Sequence, residues 1–133
     1  MIMAVILHGV DLVEVARIGN ALDRYGERLL RRLFTGTEIA DCERRRNRLE
    51  SYAARFAAKE AMLKALGTGW GQGLRWVEME VAAEPDGRPI LRLNGKVEAL
   101  AAARGVTDVV LTLTHTREHA LASVICLCGG TGC

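Results

Sequence analysis

The stretch Arg55-Phe56-Ala57-Ala58-Lys59-Glu60-Ala61-Met62-Leu63-Lys64-Ala65-Leu66-Gly67-Thr68-Gly69 decides the fold. Alanine, leucine, methionine and lysine favour helix and no proline interrupts them, so a helix is predicted here with Gly67 as its left-handed C-cap. At about 100° per residue, Ala54, Ala57, Ala58, Ala61 and Ala65 fall along one side. So smooth a side lets another backbone approach closely. Glu60 and Lys64, one turn apart, share a neighbouring edge, whereas Arg55 and Lys59 share a different one. As an exposed pair, Glu60 and Lys64 would contribute only about 0.2 to 0.5 kcal/mol. A larger role requires a partner from elsewhere in the chain.

Upstream, Met3 to Val10 is an apolar run of buried-strand length, interrupted by His8 and Gly9. Leu12 to Ile18 then suits an amphipathic helix, which would put Asp11 at a strand-to-helix junction, either as an N-cap or as a carboxylate facing a cleft. Arg17, Arg24, Arg28 and Arg31 would form one basic stripe on a continuous helix, with Gly26 as the point of possible interruption. Such a stripe is either a solvated face or a dock for an acidic helix. Thr35 with Glu38 reads as a capping box, and Asn47 with Glu50 marks the start of the central helix. Between them Arg44, Arg45, Arg46 and Arg48 make a dense patch, suited to phosphate or to solubilising a helix end.

Downstream, Trp70-Gly71-Gln72-Gly73 is expected to be a flexible loop, but not a P-loop, since its glycines follow a helix and no Gly-Lys-Ser/Thr is present. Trp76 to Val81 alternates as a half-buried strand does. Residues 84–89 form a turn, and Ile90 to Leu93 returns as the second arm of a hairpin. A helix is expected over Lys96 to Arg104 with Gly105 as its stop, then strands over Val109 to Thr114 and Ala120 to Leu127. The order is strand, three helices, two strands, helix, two strands. That is an α+β fold whose helices cover a mainly antiparallel sheet.

The 133 residues, half of them hydrophobic, suffice for one domain, expected over 1–127 with a flexible tail over 128–133. A net charge of +2 excludes a generic polyanion binder, but fifteen arginines against three lysines favour forked contacts to phosphate or carboxylate. Two each of Trp, Tyr and Phe leave few stacking platforms for nucleic acid. With no secretory leader in Met1 to Leu7 and no run near the roughly 20 apolar residues of a membrane span, a cytoplasmic chain is expected. Cys42, Cys126, Cys128 and Cys133 are read as reduced thiols. The irregular spacing of Cys126, Cys128 and Cys133 with His115 or His119 argues against zinc.

Two segments together carry a resemblance. Gly9-Val10-Asp11 with Glu14, Arg17 and Ile18, followed by Arg55 to Ala61 and Lys64-Ala65-Leu66-Gly67-Thr68-Gly69, resembles the holo-[acyl-carrier-protein] synthases, small 4'-phosphopantetheinyl transferases. Trp76, Glu78 and Glu80, Gly87-Arg88-Pro89 and Leu113-Thr114-His115 agree with it, and Leu7 and His8 depart from it. The resemblance implies transfer of phosphopantetheine from coenzyme A to a serine of apo acyl carrier protein, with release of adenosine 3',5'-bisphosphate. It implies Mg²⁺ held by Asp11 and Glu60, and a homotrimer with its sites at subunit interfaces. Glu60, directly or through a metal-bound water, is the candidate general base, and Lys64 the stabiliser of the leaving phosphate. Arg55, His115, Gly67 and Pro89 are implied contacts of the coenzyme, and Arg17, Arg24 and Arg28 the dock for the acidic carrier. Two rivals remain: a non-catalytic arginine-rich binding module, and a Mg²⁺-dependent hydrolase of coenzyme A or nucleotide diphosphates.

Overall fold

The computed structural model describes residues 5–68 and 73–129. Its elements are β1 (Val5–Glu14), α1 (Val15–Leu33), α2 (Gly36–Glu43), α3 (Arg48–Leu66), a 3₁₀ turn (Trp76–Glu78), β2 (Met79–Ala83), β3 (Pro89–Leu93), α4 (Gly95–Ala103), β4 (Val106–His115) and β5 (His119–Cys128). One antiparallel sheet has the order β1-β5-β4, and β2 and β3 form a separate hairpin. This is the expected α+β class. The expectations for Met1 to Ala4, for Gly69 to Gln72 and for residues 130–133 fall outside the described residues.

The alanine face of α3 is the floor of the core. Ala54, Ala57, Ala58, Ala61 and Ala65 are all buried, and β1 crosses them backbone to backbone. A Cβ built at Gly9 would overlap the Ala61 carbonyl oxygen and lie 2.8 Å from the Ala65 amide nitrogen. Only glycine fits there. At its far end α3 closes as predicted, with Gly67 at φ 71° and its amide on the Lys64 carbonyl at 3.0 Å.

Three local expectations are corrected. First, β1 does not stop at Val10: it pairs with β5 from Val5 to Glu14, so Asp11 lies within the strand and α1 begins only at Val15. Alternation wins over the helical pattern, because Gly9 and Val13 are buried on the α3 side while Val10 and Leu12 face outward. Second, Gly26 (φ 64°, ψ −152°) breaks α1, so the arginine stripe is not continuous. Third, Trp76 to Glu78 is a 3₁₀ turn and not strand. The Glu78 carboxylate accepts the amides of Arg75 at 3.0 Å and Lys96 at 3.1 Å, tying the turn to the start of α4.

The Thr35 capping box is present, with the Glu38 amide donating to Thr35 Oγ1 and the Thr35 amide to Glu38 Oε1. Asn47 is the N-cap of α3 but makes no side-chain cap bond, and Glu50 turns elsewhere. Cys42 and Cys126 are buried free thiols, whereas Cys128 is disulfide-bonded, against the reading of all four as reduced. No helix among the described residues is long and apolar enough to cross a membrane.

Candidate active site

Asp11 and Glu60 come together from β1 and α3. The register that seats Gly9 on Ala61 also turns Asp11, two residues on, toward the same helix, where it meets Lys64. Lys64 Nζ donates to Asp11 Oδ1 at 2.9 Å and to the Val10 carbonyl at 3.2 Å. The lysine thus reaches across to β1. Burial pushes the half-buried Glu60 carboxyl above its ordinary range, and the negative charge of Asp11 pushes it further, with Lys64 and Arg17 partly offsetting both. The charge of Asp11 is thus felt at the Glu60 carboxyl, which places two acidic side chains from distant parts of the chain in one neighbourhood.

Among the described residues there is no group of three or more His, Cys, Asp or Glu side chains able to hold a metal. The donor set here is a carboxylate pair. It is poor for Zn²⁺ or Ca²⁺, but it fits Mg²⁺, which keeps several waters and takes one or two protein carboxylates beside substrate phosphates.

A second constellation lies under the β2–β3 hairpin. Arg45, Arg55, Ser51, Gly87, Pro89 and His115 line a cavity of about 230 Å³. Arg55 is buried and paired with Asp41, and its buried Nε–H has no hydrogen-bond partner among the described residues. His115 Nδ1 lies 2.8 Å from Glu50 Oε1. Three of the four residues implied as coenzyme contacts are therefore neighbours. Gly67 is not among them: it stays at the C-cap of α3, facing the Arg104 guanidinium.

Among the arginines of α1, Arg24 and Arg28 flank an exposed Tyr25 in one surface groove with Leu29 and Arg32. Arg17 instead acts on Glu60. Sequence reasoning gave Asp41 no role, read Glu50 only as a helix-start marker though its partner His115 lies 65 positions away, and offered Arg45 only as part of a patch.

A family model described as the 4'-phosphopantetheinyl transferase superfamily matches residues 8–123. The holo-[acyl-carrier-protein] synthase of Solibacter usitatus is 49% identical over 117 residues, covering 88% of this chain and 94% of that one. The chain belongs to the holo-[acyl-carrier-protein] synthase family of 4'-phosphopantetheinyl transferases. Among solved structures, the Bacillus anthracis holo-(acyl-carrier-protein) synthase in complex with CoA (3',5'-ADP) aligns with a TM-score of 0.76 at 30% identity, over 96% of this chain and 100% of that one. The Helicobacter pylori holo-[acyl-carrier-protein] synthase in complex with coenzyme A gives 0.78 at 26% identity, over 90% and 99%. As a holo-[acyl-carrier-protein] synthase family member the chain is a transferase, which removes the non-catalytic binding module.

Proposed function

We propose that this transferase moves 4'-phosphopantetheine from coenzyme A to a serine of an apo acyl carrier protein, releasing adenosine 3',5'-bisphosphate, in the cytoplasm. The observation that carries the reading is the meeting of Asp11, Glu60 and Lys64 from two distant parts of the chain. Asp11 and Glu60 would hold Mg²⁺, which when bound supplies charge neutralisation at the diphosphate. Glu60 is the general base, taking the serine proton as the serine oxygen bonds to the β-phosphorus. As the bond from that phosphorus to the departing adenylate oxygen breaks, Lys64 stabilises or protonates the departing phosphate. Asp11 keeps the Lys64 ammonium in place for that role.

The coenzyme needs more than one copy of the chain. Arg55 and Glu60 are five residues apart on α3, about 140° around the helix and about 7.5 Å along it, so the cation-lined cavity and the acidic pair face different ways. A coenzyme spanning both would bridge two subunits, as in a homotrimer with interface sites. The outer face of the sheet supports assembly. Ile6 (57% exposed), Val10 and Leu12 (60%) share the outer face of β1, Ile6 stands opposite Leu127 on β5, and Val110 on β4 extends the same surface. An apolar patch of this kind marks an interface. Leu12→Lys is expected to convert the assembly to monomer by analytical ultracentrifugation and to abolish transfer; an unchanged sedimentation coefficient would remove this face from the contact.

The decisive assay incubates the protein with coenzyme A, Mg²⁺ and an apo carrier, then weighs the carrier by mass spectrometry. Gain of phosphopantetheine is expected, whereas coenzyme A cleavage with no gain would favour the hydrolase. Glu60→Gln and Asp11→Asn are each expected to slow transfer at least about a hundredfold. The sign of the stability change is a separate check. Because the folded-state pKa of Glu60 lies above the unfolded value, its ionisation opposes folding, and stability falls as pH rises through that interval. Glu60→Gln should therefore raise Tm at pH 7 without divalent ions and abolish the Tm increase that Mg²⁺ gives the unaltered protein. A lower Tm, or an undiminished response to Mg²⁺, would contradict the site.

A further inference from the structure

We infer that Asp41 and Glu50 are positioning residues that aim Arg45, Arg55 and His115 of the hairpin cavity at a phosphate monoester, the ribose phosphate of the coenzyme; this rests on the coenzyme A reading above. Neither carboxylate lines the cavity, yet each holds a residue that does. Asp41 Oδ2 accepts from Arg45 at 3.3 Å and from Arg55, while its Oδ1 accepts from Arg44 at 2.6 Å. Glu50 holds His115 through Nδ1, which leaves Nε2 as the free ring nitrogen. Both carboxylates therefore stand behind the side chains they hold, and the ligand is met by guanidinium and imidazole.

The charge balance favours an anion. Three guanidiniums gather on one carboxylate, so positive charge is left over beside the cavity. Burial alone would raise the Asp41 carboxyl, but its hydrogen bond to Arg44 and the charges of Arg55 and Arg45 hold it below its ordinary range. It stays ionised, and the arginines keep their anchor. The buried Nε–H of Arg55 lacks an acceptor, and a buried donor without one is costly. A tetrahedral dianion offers several acceptor oxygens and suits the planar fork of arginine. Ser51 adds a hydroxyl on the same wall. The family resemblance implies that Arg55 and His115 meet the 3'-phosphate or the adenine end of the coenzyme, and of the two the phosphate is what these donors suit.

The test compares coenzyme A with 3'-dephospho-coenzyme A as donor for the unaltered protein, Asp41→Asn and Glu50→Gln. The unaltered protein should prefer coenzyme A. Each variant should lose about tenfold in kcat/KM for coenzyme A, mainly through KM, and change within about twofold for the dephospho donor. A residue needed only for folding would lower both donors together, and that result overturns the proposal, as does an unaltered protein that does not distinguish them. Calorimetric binding of adenosine 3',5'-bisphosphate against adenosine 5'-monophosphate separates this inference from the reading beneath it. If no transfer from coenzyme A occurs at all, the parent reading fails, yet selective weakening of the bisphosphate in both variants would still support the cavity. Equal weakening of both nucleotides would sink it. Glu50→Gln touches a different cavity side chain from Asp41→Asn, so it reads the proposal even if the latter fails to fold.

Discussion

Gly9→Ala is expected to cost about 3 kcal/mol or more, at the high end for overpacking a core, and to appear as a large fall in the urea midpoint or as failure to fold. The added methyl meets main chain, not a side chain that can swing aside: it would overlap the Ala61 carbonyl oxygen, with the Ala65 amide 2.8 Å away. Relief requires β1 to move off α3. Because β1 is also held by β5 along ten paired residues, from Val5 opposite Cys128 to Glu14 opposite His119, the strand cannot shift locally without breaking ladder bonds. Any variant that folds should also lose transfer, since the same shift carries Asp11 away from Glu60. Gly36→Ala is the control. Nothing lies within 4 Å of a Cβ there, so its midpoint should stay near that of the unaltered protein. A wild-type midpoint for Gly9→Ala would mean that strand and helix do not meet as described.

This contact was legible from one side only. The alanines of α3 announce a close approach, and Gly67 announces the helix end, because both depend on local composition and backbone preference. What the alanines receive depends on a segment some fifty positions away. The misplacement of Asp11 has the same origin: Leu12 to Ile18 satisfies a helical pattern, but the β5 strand that captures residues 11–14 is more than a hundred positions downstream. Trp76 to Glu78 alternates like a strand, yet the Glu78 carboxylate finds amides on both sides of the hairpin and tightens the turn. At the site, Asp11, Glu60 and Lys64 were named from the motif, and their convergence follows from the β1–α3 packing. Glu38 and Glu50 were read only as markers of helix starts, and Asp41 was given no role. Their importance lies in partners that no local period reveals.

Lys59→Met is expected to destabilise the domain by about 3 to 5 kcal/mol, since it strands a carboxylate in the core. Lys59, one residue before the proposed base, is fully buried, as is Glu38, and Nζ lies 2.6 Å from Glu38 Oε1. The ammonium also donates to the Leu33 carbonyl at 2.7 Å, while Glu38 Oε2 accepts the Val81 amide at 2.9 Å. The pair thereby joins the end of α1, α2, α3 and the β2 strand through one charge-neutral knot. Burial lowers the Lys59 pKa, and Glu38 opposes that shift, so neither charge is comfortable without the other. The double variant Lys59→Met with Glu38→Gln should therefore be more stable than Lys59→Met alone, because a neutral amide removes the stranded charge and keeps an oxygen for one backbone donor. A cost below about 1 kcal/mol for Lys59→Met, or a fully additive double variant, would show that the pair is not coupled in this way. In contrast to Glu60→Gln, the folded fraction of Lys59→Met should retain kcat, since Lys59 faces α2 and Phe34 and not the acidic pair.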